Sequence, residues 1–257
     1  MNQSERRQYL LRALLAEKPE YRDISIPADE TGQRRLLRSL FNVRMPGAIG
    51  DDFIAVQDEY LKEEIRKKGV TDYAALKPAE PGLTLWQGDI TTLKCGAIVN
   101  AANAGMTGCY QPCHSCIDNC IHTFAGVQLR NFCAELMRKQ GFEEPTGRAK
   151  ITPAFNLPCE YVIHTVGPIV GGSLNETHKK QLASCYRSCL AIAEENGVGS
   201  IAFCCISTGV FGFPQREAAE IAVRTVKETR EKTRSKIEVI FNVFKDEDYE
   251  IYREYLG

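Results

Sequence analysis

Short apolar segments alternate with longer amphipathic ones from Pro81-Gly82 onward, and few folds accommodate that order. The short segments predict strands, whereas the longer ones have the apolar spacing of helices. Such alternation favours an α/β fold with helices on both faces of a mixed, largely parallel sheet. The predicted strands are 83–86, 96–100, 161–166, 200–206 and 237–244, and the predicted helices are 117–137, 178–195, 214–231 and 247–255.

Residues 1–80 differ from the rest, because their pattern is polar and helical. Helices are predicted over 3–18, 33–41 and 51–68, with proline and glycine between them. We find no catalytic pattern in this region. Most amphipathic helices bury one face, so we expect a helical N-terminal extension over 1–80 packed on an α/β domain over 81–257.

Composition excludes several classes of protein. The 257 residues have a net charge of −1, which argues against binding nucleic-acid backbone or anionic membrane. No apolar run reaches the roughly 18 residues that span a bilayer, and the N-terminus lacks the apolar stretch of a secretory signal. We therefore expect a cytoplasmic protein. In that reducing compartment, the eleven cysteines indicate metal binding or catalysis rather than a disulfide framework.

Ligands of such sheets bind outside the carboxyl ends of the strands. Residues 207–214 place two glycines between a strand and a helix, which suits either a phosphate-binding loop or an ordinary turn. There is no lysine to complete an ATP-binding P-loop. Asn100 and Asn103 could offer carboxamides to a sugar, or serve turns and caps. Asp89 could accept from an exocyclic amine, or form a turn.

Four cysteines and two histidines lie between residues 108 and 122. Cys109, His114 and Cys116 have C-x4-H-x-C spacing, and thiolate and imidazole are the ligands that zinc prefers. Alternatively, the four cysteines at 109, 113, 116 and 120 could form one buried face of a helix. Pro112 weakens that alternative, so the spacing favours a metal site. We expect Cys120 and His122 to face the core or cap the helix.

Together these segments resemble a macrodomain, the ADP-ribose-binding three-layer α/β/α fold. The matching segments occur in the family's order over roughly the last two thirds of the chain, at 87–90, 97–103, 116–122, 161–168 and 206–214. In most macrodomains a glycine-rich stretch stands where this chain has its Cys/His segment. The chain thus resembles the zinc-containing subgroup, which has a helical N-terminal extension. The resemblance implies a protein-ADP-ribose hydrolase that removes mono-ADP-ribose, with a Zn²⁺ cofactor on Cys109, His114 and Cys116.

The resemblance also implies roles for individual residues. Asp89 and Ile90 would bind the adenine, on which Phe244 could stack. The distal ribose would lie among Asn100, Asn103 and Asp118, the expected catalytic residues. The remaining expected substrate contacts are Cys116, Ile117 and the diphosphate loop of Ser207, Thr208, Gly209, Val210 and Phe211. Bacterial members of the subgroup are associated with a sirtuin-like ADP-ribosyltransferase and a lipoyl-carrier protein.

Three protein ligands would leave one position of a tetrahedral zinc open, which is typical of a catalytic site. A fourth ligand from Cys113 would close it. Asp118 could act as general base, on an ADP-ribose esterified to an acidic side chain. The alternatives are a reader that binds ADP-ribose without hydrolysis, a deacetylase of O-acetyl-ADP-ribose and a structural zinc knuckle on a scaffold. His164, within an apolar strand, is predicted to be a core histidine rather than a catalytic one.

Overall fold

A computed structural model describes residues 1–257. The N-terminal part contains three helices: α1 Gln3–Ala16, α2 Glu30–Val43 and α3 Asp51–Lys68. The strands that follow are β1 Thr71–Asp72, β2 Leu83–Gln87, β3 Leu93–Lys94, β4 Ala97–Ala102, β5 Ala149–Pro153, β6 Tyr161–Val166, β7 Ser200–Phe203 and β8 Glu238–Val243. The helices between and after them are α4 Ile117–Ala125, α5 Val127–Gln140, α6 Glu176–Glu195, α7 Gln215–Thr233 and α8 Asp246–Leu256.

Six strands form the central sheet in the order β2-β8-β7-β4-β6-β5. All neighbours are parallel except β5, which runs antiparallel to β6 at one edge. Helices α6, α7 and α8 pack side by side on the sheet, and α4 and α5 pack on β4 and β5. The predicted three-layer fold with a mixed, largely parallel sheet is confirmed. No helix of the fold combines the length and the apolarity needed to cross a membrane.

Two hydrophobic clusters lie side by side. A cluster of 44 buried residues fills the space around the sheet, and a cluster of 10 joins α1, α2 and α3 to Val127 of α5. Ile65 of α3 belongs to the larger cluster, and β1 pairs with β3 in a separate two-stranded sheet. The N-terminal helices therefore share packing with the α/β part, and the domain boundary near residue 80 stays a prediction.

The sequence prediction was wrong about several elements. The expected helix 117–137 is two helices, because Gly126 has a φ of 93°, a conformation open mainly to glycine. The amide nitrogen of Val127 instead donates to Gln57 Oε1 at 3.0 Å, which caps the start of α5. The strand expected over 200–206 ends at Phe203. The strand expected over 96–100 continues to Ala102, so Asn100 lies inside it. Strand β5 was missed, because it is only five residues long and ends in Pro153, and proline in a short segment argues against a strand except at a sheet edge.

Arg130 of α5 joins the N-terminal helices to the loop after β4. Its guanidinium is buried and donates to four carbonyl oxygens, those of Phe41 at 3.0 Å and of Asn42, Arg44 and Thr107 at 2.7 Å each. Three of these carbonyls lie at the end of α2, where the last carbonyls have no partner within the helix.

Replacing Arg130 with methionine should therefore lower the free energy of unfolding by about 2 kcal/mol, because buried carbonyls would lose charge-assisted hydrogen bonds. Urea denaturation would measure the change. Arg224→Met is the matched control, since Arg224 is exposed on α7 and pairs only with Glu220. Equal unfolding free energies for the two variants would contradict the prediction.

Candidate functional site

Asp118, Asn100 and Asn103 come together at the start of α4. Asp118 lies in the first turn of that helix and is buried. Asn100 Nδ2, from inside β4, donates to Asp118 Oδ1 at 2.8 Å, and Asn103 Nδ2, just after β4, donates to Asp118 Oδ2 at 3.1 Å. The two asparagines thus hold both oxygens of one carboxylate, and the three expected catalytic residues form a single hydrogen-bonded group.

His164 holds Asn100 in place from the neighbouring strand β6. Asn100 Nδ2 lies 3.1 Å from His164 Nδ1, and Thr152 Oγ1 lies 3.0 Å from His164 Nε2. Because an amide nitrogen only donates, Nδ1 must accept and Nε2 must carry the proton. Burial lowers the pKa of His164 to about 3, so the ring stays neutral. The prediction of a core histidine is confirmed, and His164 also orients Asn100.

The environment of Asp118 disfavours its charge. Burial raises the pKa of Asp118 to about 6, although the two asparagines and the charge of Arg130 favour the ionised form. His122 Nε2 lies 3.6 Å from Asp118 Oδ1, and burial lowers the pKa of His122 well below its usual value. His122 faces the core, as expected. The buried Oδ1 of Asn100 has no partner in the protein, which leaves one acceptor of this group unsatisfied.

Asn103 has a second task besides holding Asp118. Its Oδ1 accepts from the amide nitrogen of Gly105 at 3.0 Å, and its Nδ2 also donates to the Gly108 oxygen at 3.1 Å. These bonds shape the turn that leaves β4 and leads into the Cys/His segment. Of the two roles that the sequence left open for Asn103, the turn role is confirmed, and contact with a sugar stays a prediction.

The Cys/His segment brings three candidate ligands together. The donor atoms of Cys109, His114 and Cys116 all lie within 4.8 Å of one another, and Cys109 Sγ is 3.8 Å from His114 Nδ1. Cys116 is the N-cap of α4, where its sulfur accepts from the amide nitrogen of Asn119 at 3.4 Å. Two sulfurs and one imidazole at this spacing suit zinc, so the residues present fit the expected metal.

Cys113 is turned away from this group. Its sulfur lies 3.2 Å from Ser39 Oγ and 3.5 Å from the Arg35 oxygen, both on α2. The backbone of Cys113 has a φ of 53°, in the left-handed region. The proposal that the four cysteines form one helical face is wrong, because α4 begins only at Ile117 and the preceding residues form a loop.

The loop after β7 presents unpaired amide nitrogens in front of α7. Ser207 is buried with a φ of 67°. Its backbone carbonyl oxygen accepts from the amide nitrogen of Phe213 at 3.0 Å, and this bond closes the loop. The amide nitrogens of Gly209, Val210 and Phe211 have no partner in the protein. Thr208 Oγ1 donates back to the Cys205 oxygen at 3.0 Å. Unpaired amides ahead of a helix N-terminus form a site for an anion.

The far end of the same sheet edge carries Asp89. Its Oδ1 accepts from the Thr91 nitrogen at 3.0 Å and from Thr91 Oγ1 at 2.6 Å, which caps a 3₁₀ turn over Ile90–Thr92. Ile90 is buried, and Phe244, just after β8, is 76% exposed. Burial alone would raise the pKa of Asp89, but hydrogen bonds from Thr91 and Lys68 lower it.

Lys68 is a residue that sequence reasoning missed. Its Nζ, in the last turn of α3, donates to Asp89 Oδ2 at 2.9 Å and lies 3.5 Å from the centroid of the Phe124 ring. In the sequence, Lys68 ends a basic helical turn with Arg66 and Lys67, which is typical of a solvent-facing helix end. No local signal distinguishes it from its neighbours.

We infer one cleft along the carboxyl edge of the parallel strands, because β2, β8, β7 and β4 are neighbours in the sheet and these groups follow their carboxyl ends. The exposed ring of Phe244 lies at the end of β8, and the carboxylate of Asp89 follows β2. The unpaired amides of residues 209–211 follow β7, and the buried carboxylate of Asp118 follows β4 together with the Cys/His group. Ile117 and Cys116 lie between the carboxylate and the Cys/His loop at the start of α4. The arrangement can hold a flat base, a diphosphate and a sugar in that order, with an acid–base group at the sugar end.

Comparison with known proteins agrees with this geometry. The family model described as Macro domain matches residues 99–222. A protein of Treponema medium named protein-ADP-ribose hydrolase is 58% identical over 100% of this chain and 100% of its own length. A protein of Staphylococcus aureus strain MRSA252 with the same name is 48% identical over 97% of this chain and 94% of its own.

A solved structure extends the similarity to the fold. The Trypanosoma brucei macrodomain in complex with ADP-ribose matches with a TM-score of 0.66 at 30% identity, over 86% of this chain and 95% of that one. The expected family is confirmed, whereas membership of the zinc-containing subgroup stays a prediction. With a whole-length relative at 58% identity and the fold in agreement, the chain belongs to the macrodomain family.

Proposed function

We propose that the protein is a zinc-dependent protein-ADP-ribose hydrolase that removes mono-ADP-ribose from modified proteins. One observation carries the proposal. Asp118, whose carboxylate is held by two amides, lies in the first turn of the helix whose N-cap is the candidate ligand Cys116. An acid–base group and a metal group would therefore meet at the sugar end of the cleft. The hydrolase names of the whole-length relatives support the same reaction.

Each part of the cleft would hold one part of ADP-ribose. Asp89 and Ile90 would bind the adenine edge, with Phe244 stacked on its face. The unpaired amides of the 207–211 loop would accept the diphosphate. The free Oδ1 of Asn100 would accept a hydroxyl of the distal ribose, and this contact would fix the sugar beside Asp118.

Cys109, His114 and Cys116 would hold the zinc, and a bound zinc polarises an oxygen of the substrate as a Lewis acid. Asp118 would take a proton from a ribose hydroxyl or from a water at its carboxylate. Asn100 and Asn103 would keep both carboxylate oxygens oriented throughout.

The bond cleaved is proposed to be an ester to an acidic side chain. A water that gives its proton to Asp118 would add to the ester carbonyl carbon, the acyl C–O bond would break, and the departing ribose oxygen would take that proton back. The decisive experiment measures release of free ADP-ribose from two substrates, one linked through Asp or Glu and one through Ser. We expect release from the first substrate, and loss of that release after treatment with a zinc chelator. Tight ADP-ribose binding without release would instead support a reader, and release of acetate from O-acetyl-ADP-ribose alone would support a deacetylase.

Two further proposals concern the compartment and the modified substrate. All eleven cysteines are free, which suits a reducing compartment and therefore the cytoplasm. On the resemblance alone, we propose a lipoyl-carrier protein as the modified substrate and a sirtuin-like ADP-ribosyltransferase as the enzyme that modifies it. Assaying release from an ADP-ribosylated carrier protein beside an unrelated modified protein would test this specificity.

Phe244→Ala should weaken ADP-ribose binding about tenfold, because stacking of a base on an aromatic ring contributes roughly 1–3 kcal/mol. Titration calorimetry with free ADP-ribose would measure the change. Phe142→Ala is a suitable control, since Phe142 is 64% exposed just beyond α5 rather than beside β8. If ribose 5-phosphate, which has no base, lost as much affinity for Phe244→Ala, stacking would not be the cause.

A further inference from the structure

The loop that carries the candidate metal ligands has little structure of its own. Between Gly108 and Cys116, one backbone–backbone hydrogen bond joins two of its residues, from the His114 nitrogen to the Gln111 oxygen at 3.2 Å. Three donor atoms nevertheless lie within 4.8 Å of one another. The loop must therefore be held in place by groups outside it.

Arg38 of α2 supplies the main contact. Its Nη2 donates to the His114 oxygen at 2.8 Å and to Asn119 Oδ1 at 3.0 Å. Asn119 is fully buried, and its Nδ2 donates to the oxygens of Cys109 at 3.3 Å and Gln111 at 2.9 Å. One guanidinium thus holds the backbone of His114 directly and that of Cys109 through Asn119.

Asn42, one turn further along α2, holds the residue between those ligands. Its Oδ1 accepts from the Cys113 nitrogen at 2.9 Å, and its Nδ2 donates to Thr123 Oγ1 on α4 at 2.9 Å. Asn42 is itself 1% exposed. The bond keeps Cys113 in its left-handed conformation with the sulfur next to Ser39, and so away from the three candidate ligands.

We propose that α2 of the N-terminal region is a positioning platform for the metal loop, in which Arg38 sets the spacing of the ligands and Asn42 keeps Cys113 from becoming a fourth. The proposal rests on the metal binding proposed above. Groups that hold ligands without touching the metal commonly change metal affinity 10–100-fold. The N-terminal helices would then control metal affinity and the open coordination position, although they contribute no ligand.

Competition between the purified protein and a chromogenic zinc chelator tests this directly. Arg38→Met should raise the zinc dissociation constant by roughly 10–100-fold. Arg38→Lys keeps the charge but not the planar set of donors, so its zinc dissociation constant should lie between those of Arg38→Met and the wild type. Arg35→Met is the matched control, because Arg35 is exposed on the same helix. Wild-type zinc affinity in Arg38→Met would overturn the proposal.

Two further measurements separate the possible failures. Thermal unfolding with and without excess chelator should show a larger loss of stability for each zinc-loaded variant than for the same variant without metal, since the platform would act on metal binding in addition to the hydrogen bonds that each variant loses in both states. If Arg38→Met does not fold, Asn42→Ala carries the test: Cys113, released from Asn42, should become a fourth ligand and lower the zinc dissociation constant. An unchanged or higher dissociation constant in that variant would overturn the proposal. If the wild-type protein purified without zinc and bound none, the proposed metal site itself would be overturned. If the wild type contained zinc and the variants had the same zinc affinity, only the role of α2 would be overturned.

Discussion

Asp118→Ala should lower kcat for ADP-ribose release by about 100–10,000-fold, the usual range for loss of a positioned acid–base group. The carboxylate is the one titratable group held by both asparagines, and the neighbouring His122 is a poor substitute because burial lowers its pKa. The effect should appear in kcat rather than in the affinity for ADP-ribose, because the base and diphosphate contacts lie elsewhere in the cleft.

The control for this variant is Asp52→Ala. Asp52, like Asp118, lies in the first turn of a helix, but it is exposed at the start of α3. Single-turnover release of ADP-ribose would be measured beside thermal stability, since removing Asp118 also takes one acceptor from each asparagine amide. Full turnover in a folded Asp118→Ala protein would remove Asp118 from the mechanism.

Cys116→Ser should release the metal and lower turnover by at least about a hundredfold, if the metal supplies the polarisation that the reaction needs. Serine is a strong N-cap, so it should keep the start of α4 that Cys116 now caps. The substitution therefore removes a soft ligand while it preserves the local backbone. Metal analysis of the purified protein and the release assay would be run on the same sample.

Cys113→Ser is the matched variant, because Cys113 lies in the same loop with its sulfur against Ser39. It should retain both zinc and turnover. A structural zinc knuckle with four ligands makes the opposite prediction: Cys113→Ser would lose zinc, and removal of the metal would unfold the protein rather than only inactivate it.

Much of the fold could be predicted because its signals are local. The alternation of apolar and amphipathic segments indicated the layers and the parallel sheet, and the C-x4-H-x-C spacing picked out three residues whose donor atoms the fold does bring together. Asn100 and Asn103 were found because they follow a predicted strand at the sheet edge where ligands bind, whereas Asp118 was named from the resemblance to macrodomains. Helix 117–137 was the main error, since nothing local shows that Gly126 breaks it.

Other features depended on residues far apart in the chain. Arg38 reaches the His114 oxygen across 76 positions, Lys68 reaches Asp89 across 21, and Cys113 is excluded from the ligand group by contacts with α2. Periodicity and spacing describe what a segment prefers, so they indicated the layers, the ligand types and the cleft. The exclusion of Cys113 and the pairing of Lys68 with Asp89 depend on how separate helices pack. That packing leaves no pattern within any single segment of the sequence.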